Sequence, residues 1–210
     1  MNFKCDGLTN MYPQLSECIP SIKKAFELIC QTYKNGGRVY VCGNGGSEAD
    51  SRHIVGELMK GFEKRRPVKF SDEIKKNLSQ KTTVFLEEKL QDALPSHSLS
   101  CETSLITAII NDISADIIFA QQIHGYGRRG DLLIGISTSG NAENVCYAAE
   151  LASAMGLHTV SLTGRDGGKV AKLCDVSICV PATNTAQVQE LHLPIYHALC
   201  REVESYFFEH

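Results

Sequence analysis

Two histidines, a glutamate and a glutamine stand at spacings that could do chemistry. His53 and Glu57 are four residues apart in a helical stretch, so they share one face. Gln189 and His197 lie eight apart on a second helical stretch, a little over two turns, and fall roughly on one side of it. His192 lies between them but is rotated away from His197. Two imidazoles, a carboxylate and an amide oxygen could form a four-ligand metal site. Zinc accepts His and carboxylate ligands, although a Gln oxygen is unusual. The plain alternative is that each histidine is a polar surface or core residue.

Two loops could bind a ligand beside that set. Leu132 to Ile136 is apolar and runs into Ser137-Thr138-Ser139, Gly140 and Asn141, where a helical pattern begins. A helix start leaves backbone N–H groups unpaired, and the helix dipole adds partial positive charge, which makes an anion site. N-capping is the simple alternative, but one cap residue suffices for it. The second loop, CGNGGSEAD over 42–50, is neither GxGxxG nor a P-loop with its lysine. A nucleotide is poorly supported there, and Asn44 and Ser47 could bind ligand hydroxyls instead.

The elements that must position these residues alternate. Runs at 38–43, 131–137, 158–164 and 175–181, rich in aliphatic and β-branched residues, read as strands, and SHSLSC at 96–101 as a short strand. Helical patterns cover 13–34, 48–61, 104–125, 141–156, 168–173 and 186–208. This order predicts an α/β fold: a doubly wound parallel sheet, a three-layer sandwich with helices on both faces plus an N-terminal helix. Ligands of such folds sit at the carboxyl ends of the strands. The charged segment 62–95 breaks the rhythm, as a solvated helical insertion or as a lid or subunit contact. A chain of 210 residues fits one domain, 1–210, carrying that insertion.

A net charge of −3 with mixed signs gives no reason to expect nucleic acid as a partner. No apolar run reaches about 18 residues, so no transmembrane helix is expected, and the N-terminus lacks a signal pattern. Nine scattered cysteines without a Cys-x-x-Cys predict reduced thiols in a cytosolic protein, several of them small core hydrophobes.

The sequence resembles the sugar isomerase (SIS) family, and within it the phosphoheptose isomerases. The resemblance rests on CGNGGSEADSRHIVGEL (42–58), IINDISADIIFAQQI (109–123), GDLLIGISTSGN (130–141), SLTGRDGGK (161–169) and VQELHLPIYHALC (188–200). It implies a ketose–aldose isomerase that converts sedoheptulose 7-phosphate to D-glycero-D-manno-heptose 7-phosphate through a cis-enediol. It implies Glu57 as base and His197 as acid. Substrate would be bound by Asn44, Gly45, Gly46, Ser47, Asn111, Asp112, Ser137, Thr138, Ser139 and Gln189. One zinc per subunit would be held by His53, Glu57, Gln189 and His197. A cytoplasmic homotetramer is implied, with active sites at subunit interfaces, and the N-terminal helix is expected to pack between subunits. The sequence departs from the family pattern at Ala142, Gly61, Ala186 and Pro194, where the family has a Ser, an Arg, an Asp and no helix-interior proline. Two alternatives remain: a non-catalytic SIS module that binds a sugar phosphate or a partner protein, and an isomerase of another phosphosugar. A related subfamily that assists replication initiation lacks the catalytic Glu and His, and both are present here.

Overall fold

Short aliphatic runs closed by glycine or polar turns become the strands. In the computed structural model, which describes residues 6–208, these are Val39–Gly43 (β1), Ser96–Ser98 (β2), Leu132–Ser137 (β3), His158–Thr163 (β4) and Val176–Cys179 (β5). They form one sheet in the order β2-β1-β3-β4-β5, and every pairing is parallel. β1 and β3 are buried at every position, as expected of strands covered on both faces. The order reverses between β1 and β3. Ligands of open parallel sheets bind at such a point, outside the carboxyl ends of the strands.

Alternate strand residues feed two cores. Val39, Val41, Leu132, Ile134, Ile136 and Leu162 pack with Ile19–Lys34 (α2), Gly46–Leu58 (α3) and Thr185–Phe208 (α10). Tyr40, Cys42 and Leu133 pack on the other face with Thr103–Asp112 (α6), Ile118–Tyr126 (α7), Glu143–Met155 (α8) and Val170–Leu173 (α9). The remaining helices, Asp6–Met11 (α1), Asp72–Lys76 (α4) and Gln80–Lys89 (α5), lie outside the sandwich. The last two occupy the charged segment and bury none of their residues.

Two expectations change. The helix expected over 13–34 begins at Ile19, after a 3-10 turn over Pro13–Cys18. Pro20 lies in its first turn, where a missing N–H has no intrahelical partner to lose. The helix expected over 104–125 is two helices. Ile113 leaves helical geometry (φ −131°, ψ −82°), and the Ser114 hydroxyl accepts from Asp116 N at 3.1 Å, starting a new turn. Within the chain, α2 turns its apolar face inward. Ile22, Ala25, Phe26 and Ile29 are buried in the chain's own core.

The described cysteines are all free, and five of them are buried. Burial pushes the Cys18 thiol up to about 11 and that of Cys200 up to about 12. Such thiols are inert core residues, as their apolar surroundings in the sequence suggest.

Candidate active site

The site is built where β1, β3 and β4 end. The β1–α3 loop carries Asn44, Gly45 and Gly46, and α3 carries Ser47, His53 and Glu57. At position 46 a Cβ would come within 2.3 Å of Gln189 Nε2, so glycine lets the α10 amide press onto the loop. Ser47 is buried beneath the loop. Asn44 exchanges two amide hydrogen bonds with Asn144 at the start of α8, 2.9 and 3.1 Å long, tying the β1 loop to the β3 loop. Asn144 was not singled out by sequence. Nothing local marks it, since its partner lies 100 residues away.

The hydroxyl cluster does not cap a helix. The N-cap of α8 is Ala142, which makes no side-chain capping bond. Ser137 ends β3. Among the described residues neither Ser137 nor Thr138 spends its hydroxyl on a hydrogen bond within the chain. The Ser139 hydroxyl accepts from Asn141 N at 3.2 Å. Asn141 also receives Lys169 N at 3.2 Å, which pins the turn against the β4–α9 loop. Lys169 in turn pairs with Glu143. The result is a hydroxyl-lined turn ahead of an uncapped thirteen-residue helix, which suits a phosphate.

The carboxylate and imidazoles meet. His53 Nε2 lies 3.1 Å from Glu57 Oε1 and 3.4 Å from His197 Nε2. Phe62 packs on the His197 ring at 5.5 Å between centroids. Lys60 Nζ is 3.5 Å from the other Glu57 oxygen. Burial lowers the pKa of His197 first, then the neighbouring His53, while Glu57 pulls it the other way. His197 also lines a cavity of about 290 Å³ with Met11, Tyr12 and Pro194. Pro194 is buried inside α10, which continues past it from Thr185 to Phe208.

A second layer fixes His53. The Tyr196 hydroxyl donates to Asp50 Oδ1 at 3.2 Å and lies 3.1 Å from His53 Nδ1. An ionised Asp50 can only accept, so the tyrosine oxygen is left to accept from His53 Nδ1–H. A neutral ring then turns a bare Nε2 toward a carboxylate oxygen. Two lone pairs face each other there unless a proton or a cation lies between them. Asp50 is raised by burial, against the Tyr196 hydrogen bond and His53. Sequence reading missed both Tyr196 and Asp50. Asp50 stands three residues before His53, one turn away on the same helix face.

The donor types fit zinc. Ligands at about 2.0–2.1 Å from a tetrahedral ion lie about 3.3 Å apart, close to the two spacings here. The set is not closed, because among the described residues no group of three or more His, Cys, Asp and Glu side chains is already arranged to hold an ion. Gln189 stays beside Gly46 and makes no hydrogen bond to the other three among the described residues. Asn111 donates to Asp112 at 2.7 Å, and both are exposed on α6, with no bond to either loop. Within one chain they are not brought to the other site residues.

His192 is the plain case. It is fully buried on α10, with Nε2 3.2 Å from the Thr163 carbonyl oxygen, and burial lowers its pKa from 6.5 to about 4. The folded ring is neutral, so the unfolded chain binds the extra proton. Its contribution to stability is complete above about pH 6.5 and is lost as pH falls toward 4, up to about 3 kcal/mol. In His192→Gln the acid-side loss of stability, followed by denaturant unfolding from pH 7.5 to 4.5, is expected to shrink by about that amount. Parallel curves for parent and variant would contradict it.

The SIS domain family model matches residues 6–164. A phosphoheptose isomerase of Shewanella piezotolerans is 41% identical over 92% of this chain and 87% of its own. One from Helicobacter hepaticus is 38% identical over 89% and 82%. Among solved structures, phosphoheptose isomerase GmhA from Neisseria gonorrhoeae superposes with a TM-score of 0.70 at 32% identity, over 94% of this chain and 98% of that one. A phosphoheptose isomerase from Francisella tularensis gives 0.72 at 27%, over 95% and 97%. The chain belongs to the SIS domain family, among its phosphoheptose isomerases.

Proposed function

We propose that the protein interconverts a ketose and an aldose phosphate, with sedoheptulose 7-phosphate and D-glycero-D-manno-heptose 7-phosphate as the pair. The observation that carries this is the meeting of Glu57, His53 and His197 within hydrogen-bond range, in a chain that also carries a hydroxyl-lined turn at a strand end. A binding module needs the turn but not a base beside an imidazole.

Ser137, Thr138, Ser139 and the start of α8 receive the phosphate. Asn44, Gly45, Gly46, Ser47 and Gln189 face the sugar hydroxyls. The Glu57 carboxylate takes the proton from C1 of the ketose, the C1–C2 bond becomes that of a cis-enediol, and the proton returns to C2. His197 moves the accompanying proton between O1 and O2, a task suited to an imidazole. His53, Glu57, His197 and Gln189 would hold one zinc per subunit, which supplies Lewis-acid polarisation of the carbonyl when bound. Elemental analysis of purified protein is expected to give near one zinc per chain, lost in His53→Ala. A fully active, zinc-free parent would remove the metal and leave an acid–base site.

The sites are shared between copies of a homotetramer in the cytoplasm. Support comes from α6 and the residue that follows it, where Leu105, Ile110 and Ile113 are 37%, 49% and 63% exposed beside Asn111 and Asp112. A second copy covering this face would bring those two polar residues to a neighbour's loops. Light scattering is expected to give the tetramer mass for the parent and a smaller species for Ile110→Glu/Ile113→Glu, with turnover lost. An active monomeric parent would refute the shared site. No helix among the described residues is long and apolar enough to cross a membrane, and a net charge of −3 with mixed signs gives no reason to expect nucleic acid. The reading itself is tested by incubating the parent with C5 to C7 ketose phosphates and following aldose formation by NMR. Sedoheptulose 7-phosphate should react fastest.

A further inference from the structure

A buried ion pair joins the two helices that carry the site. Arg66 is completely buried, and Glu204 is 1% exposed. Arg66 Nε donates to Glu204 Oε1 at 2.9 Å. Its other nitrogens reach the end of α3, with Nη1 2.7 Å from the Leu58 carbonyl oxygen and Nη2 3.2 Å from that of Glu57. A helix leaves its last carbonyls without partners, and here a guanidinium fills that place at the residue bearing the carboxylate. Glu204 lies on α10 two turns beyond His197, on the same side. Its carboxylate also accepts Phe62 N, Glu63 N and Lys64 N at 2.7, 2.8 and 3.1 Å. Phe62 is the residue whose ring packs on His197.

The pair therefore ties the end of α3, at Glu57 and Leu58, and the 62–64 stretch that begins with Phe62 to α10, and the Arg66 guanidinium also lies over the Phe208 ring at 4.7 Å. Stability alone explains it poorly, because a well-packed apolar pair of similar volume is often as stable as a buried salt bridge. An apolar pair could not hold the Glu57 carbonyl or the amide of Phe62. The approach of Gly61 belongs to the same arrangement. A Cβ there would lie 2.2 Å from the Lys64 carbonyl oxygen, so the chain turns tightly between Glu57 and Arg66 with no room for the family's arginine.

We infer that Arg66 and Glu204 are positioning residues for the isomerisation, setting the Glu57 carboxylate against the His197 ring across α3 and α10. This rests on the isomerase reading for its kinetic consequence, though not for its geometry. The phosphate turn on β3 touches neither residue, so substrate affinity is not their business.

The test uses the full-length protein and two variants. Arg66→Lys keeps the charge opposite Glu204 but cannot reach both carbonyls. Arg66→Met/Glu204→Leu removes both charges and keeps apolar packing, should the lysine variant fail to fold. In each folded variant, kcat per folded chain is expected to fall about 10- to 100-fold, the scale of a displacement near 1 Å in the reacting groups, with KM within about threefold. The ¹³C-labelled ring resonances of His53 and His197 are expected to move. A folded variant with parental kcat and unmoved rings would overturn the inference and leave the pair a structural clasp. If the parent turns over no phosphosugar, the isomerase reading fails separately, and the ring resonances alone decide the geometry: displaced rings sustain it and unmoved rings overturn it.

Discussion

Replacing Glu57 by Gln is expected to abolish turnover while sparing binding. The amide keeps the size and shape of the carboxylate but cannot take a proton. A positioned general base contributes about 10²–10⁴-fold, so kcat should fall by at least that much. Phosphosugar affinity by calorimetry should stay within about tenfold, because the proposed phosphate turn follows β3 while Glu57 lies on α3. The contact of Glu57 Oε1 with His53 Nε2 at 3.1 Å makes the substitution informative in a second way. If Glu57 served only to hold a metal, added zinc would partly restore the Gln variant, and binding and turnover would fail together. A Gln variant with turnover near that of the parent would remove Glu57 from the base role.

The second large effect is expected at the hydroxyl turn. Ser137→Ala and Thr138→Val each remove a hydroxyl that has no partner within the described chain, while Ser139 already accepts from Asn141 N. A hydrogen bond to a charged group is worth about 1.5–3 kcal/mol, which corresponds to about 10- to 150-fold in affinity. Phosphosugar binding should weaken by that factor for Ser137→Ala and Thr138→Val, and for Ser139→Ala as well, since a hydroxyl that accepts from Asn141 N keeps its proton to donate. Binding of the unphosphorylated sugar should not change. The absent side-chain cap at Ala142 fits the same picture, since it leaves the first amides of α8 available to the anion. Equal phosphosugar affinity in parent and all three variants would place the phosphate elsewhere.

The strands, the parallel sheet and the site loops were legible because their signals are local. The apolar runs of β1 and β3 are buried throughout, and the loops after them carry the polar residues. The pairing of His53 with Glu57 follows from helical spacing alone. What escaped was long-range or competitive. The partnership of Asn44 with Asn144, of Tyr196 with Asp50 and His53, and of Arg66 with Glu204 joins residues about a hundred or more apart, for which a period carries no signal. The break at Ile113 and Ser114 escaped because apolar spacing runs through it. Only the capping preference of Ser114 marks it. The apolar pattern of α2 was visible, but a pattern does not say which surface covers it, and the chain's own core does.

The most direct test of the central claim is solvent deuterium uptake by the parent protein. Sedoheptulose 7-phosphate incubated with the enzyme in D₂O, and read by NMR, should gain deuterium at C1 and yield aldose deuterated at C2. Both follow if a carboxylate lifts the proton and exchanges it with solvent before returning it. Binding of the phosphosugar without deuterium at either carbon, across C5 to C7 ketose phosphates, would contradict the isomerase reading and leave a sugar-phosphate binding module in its place.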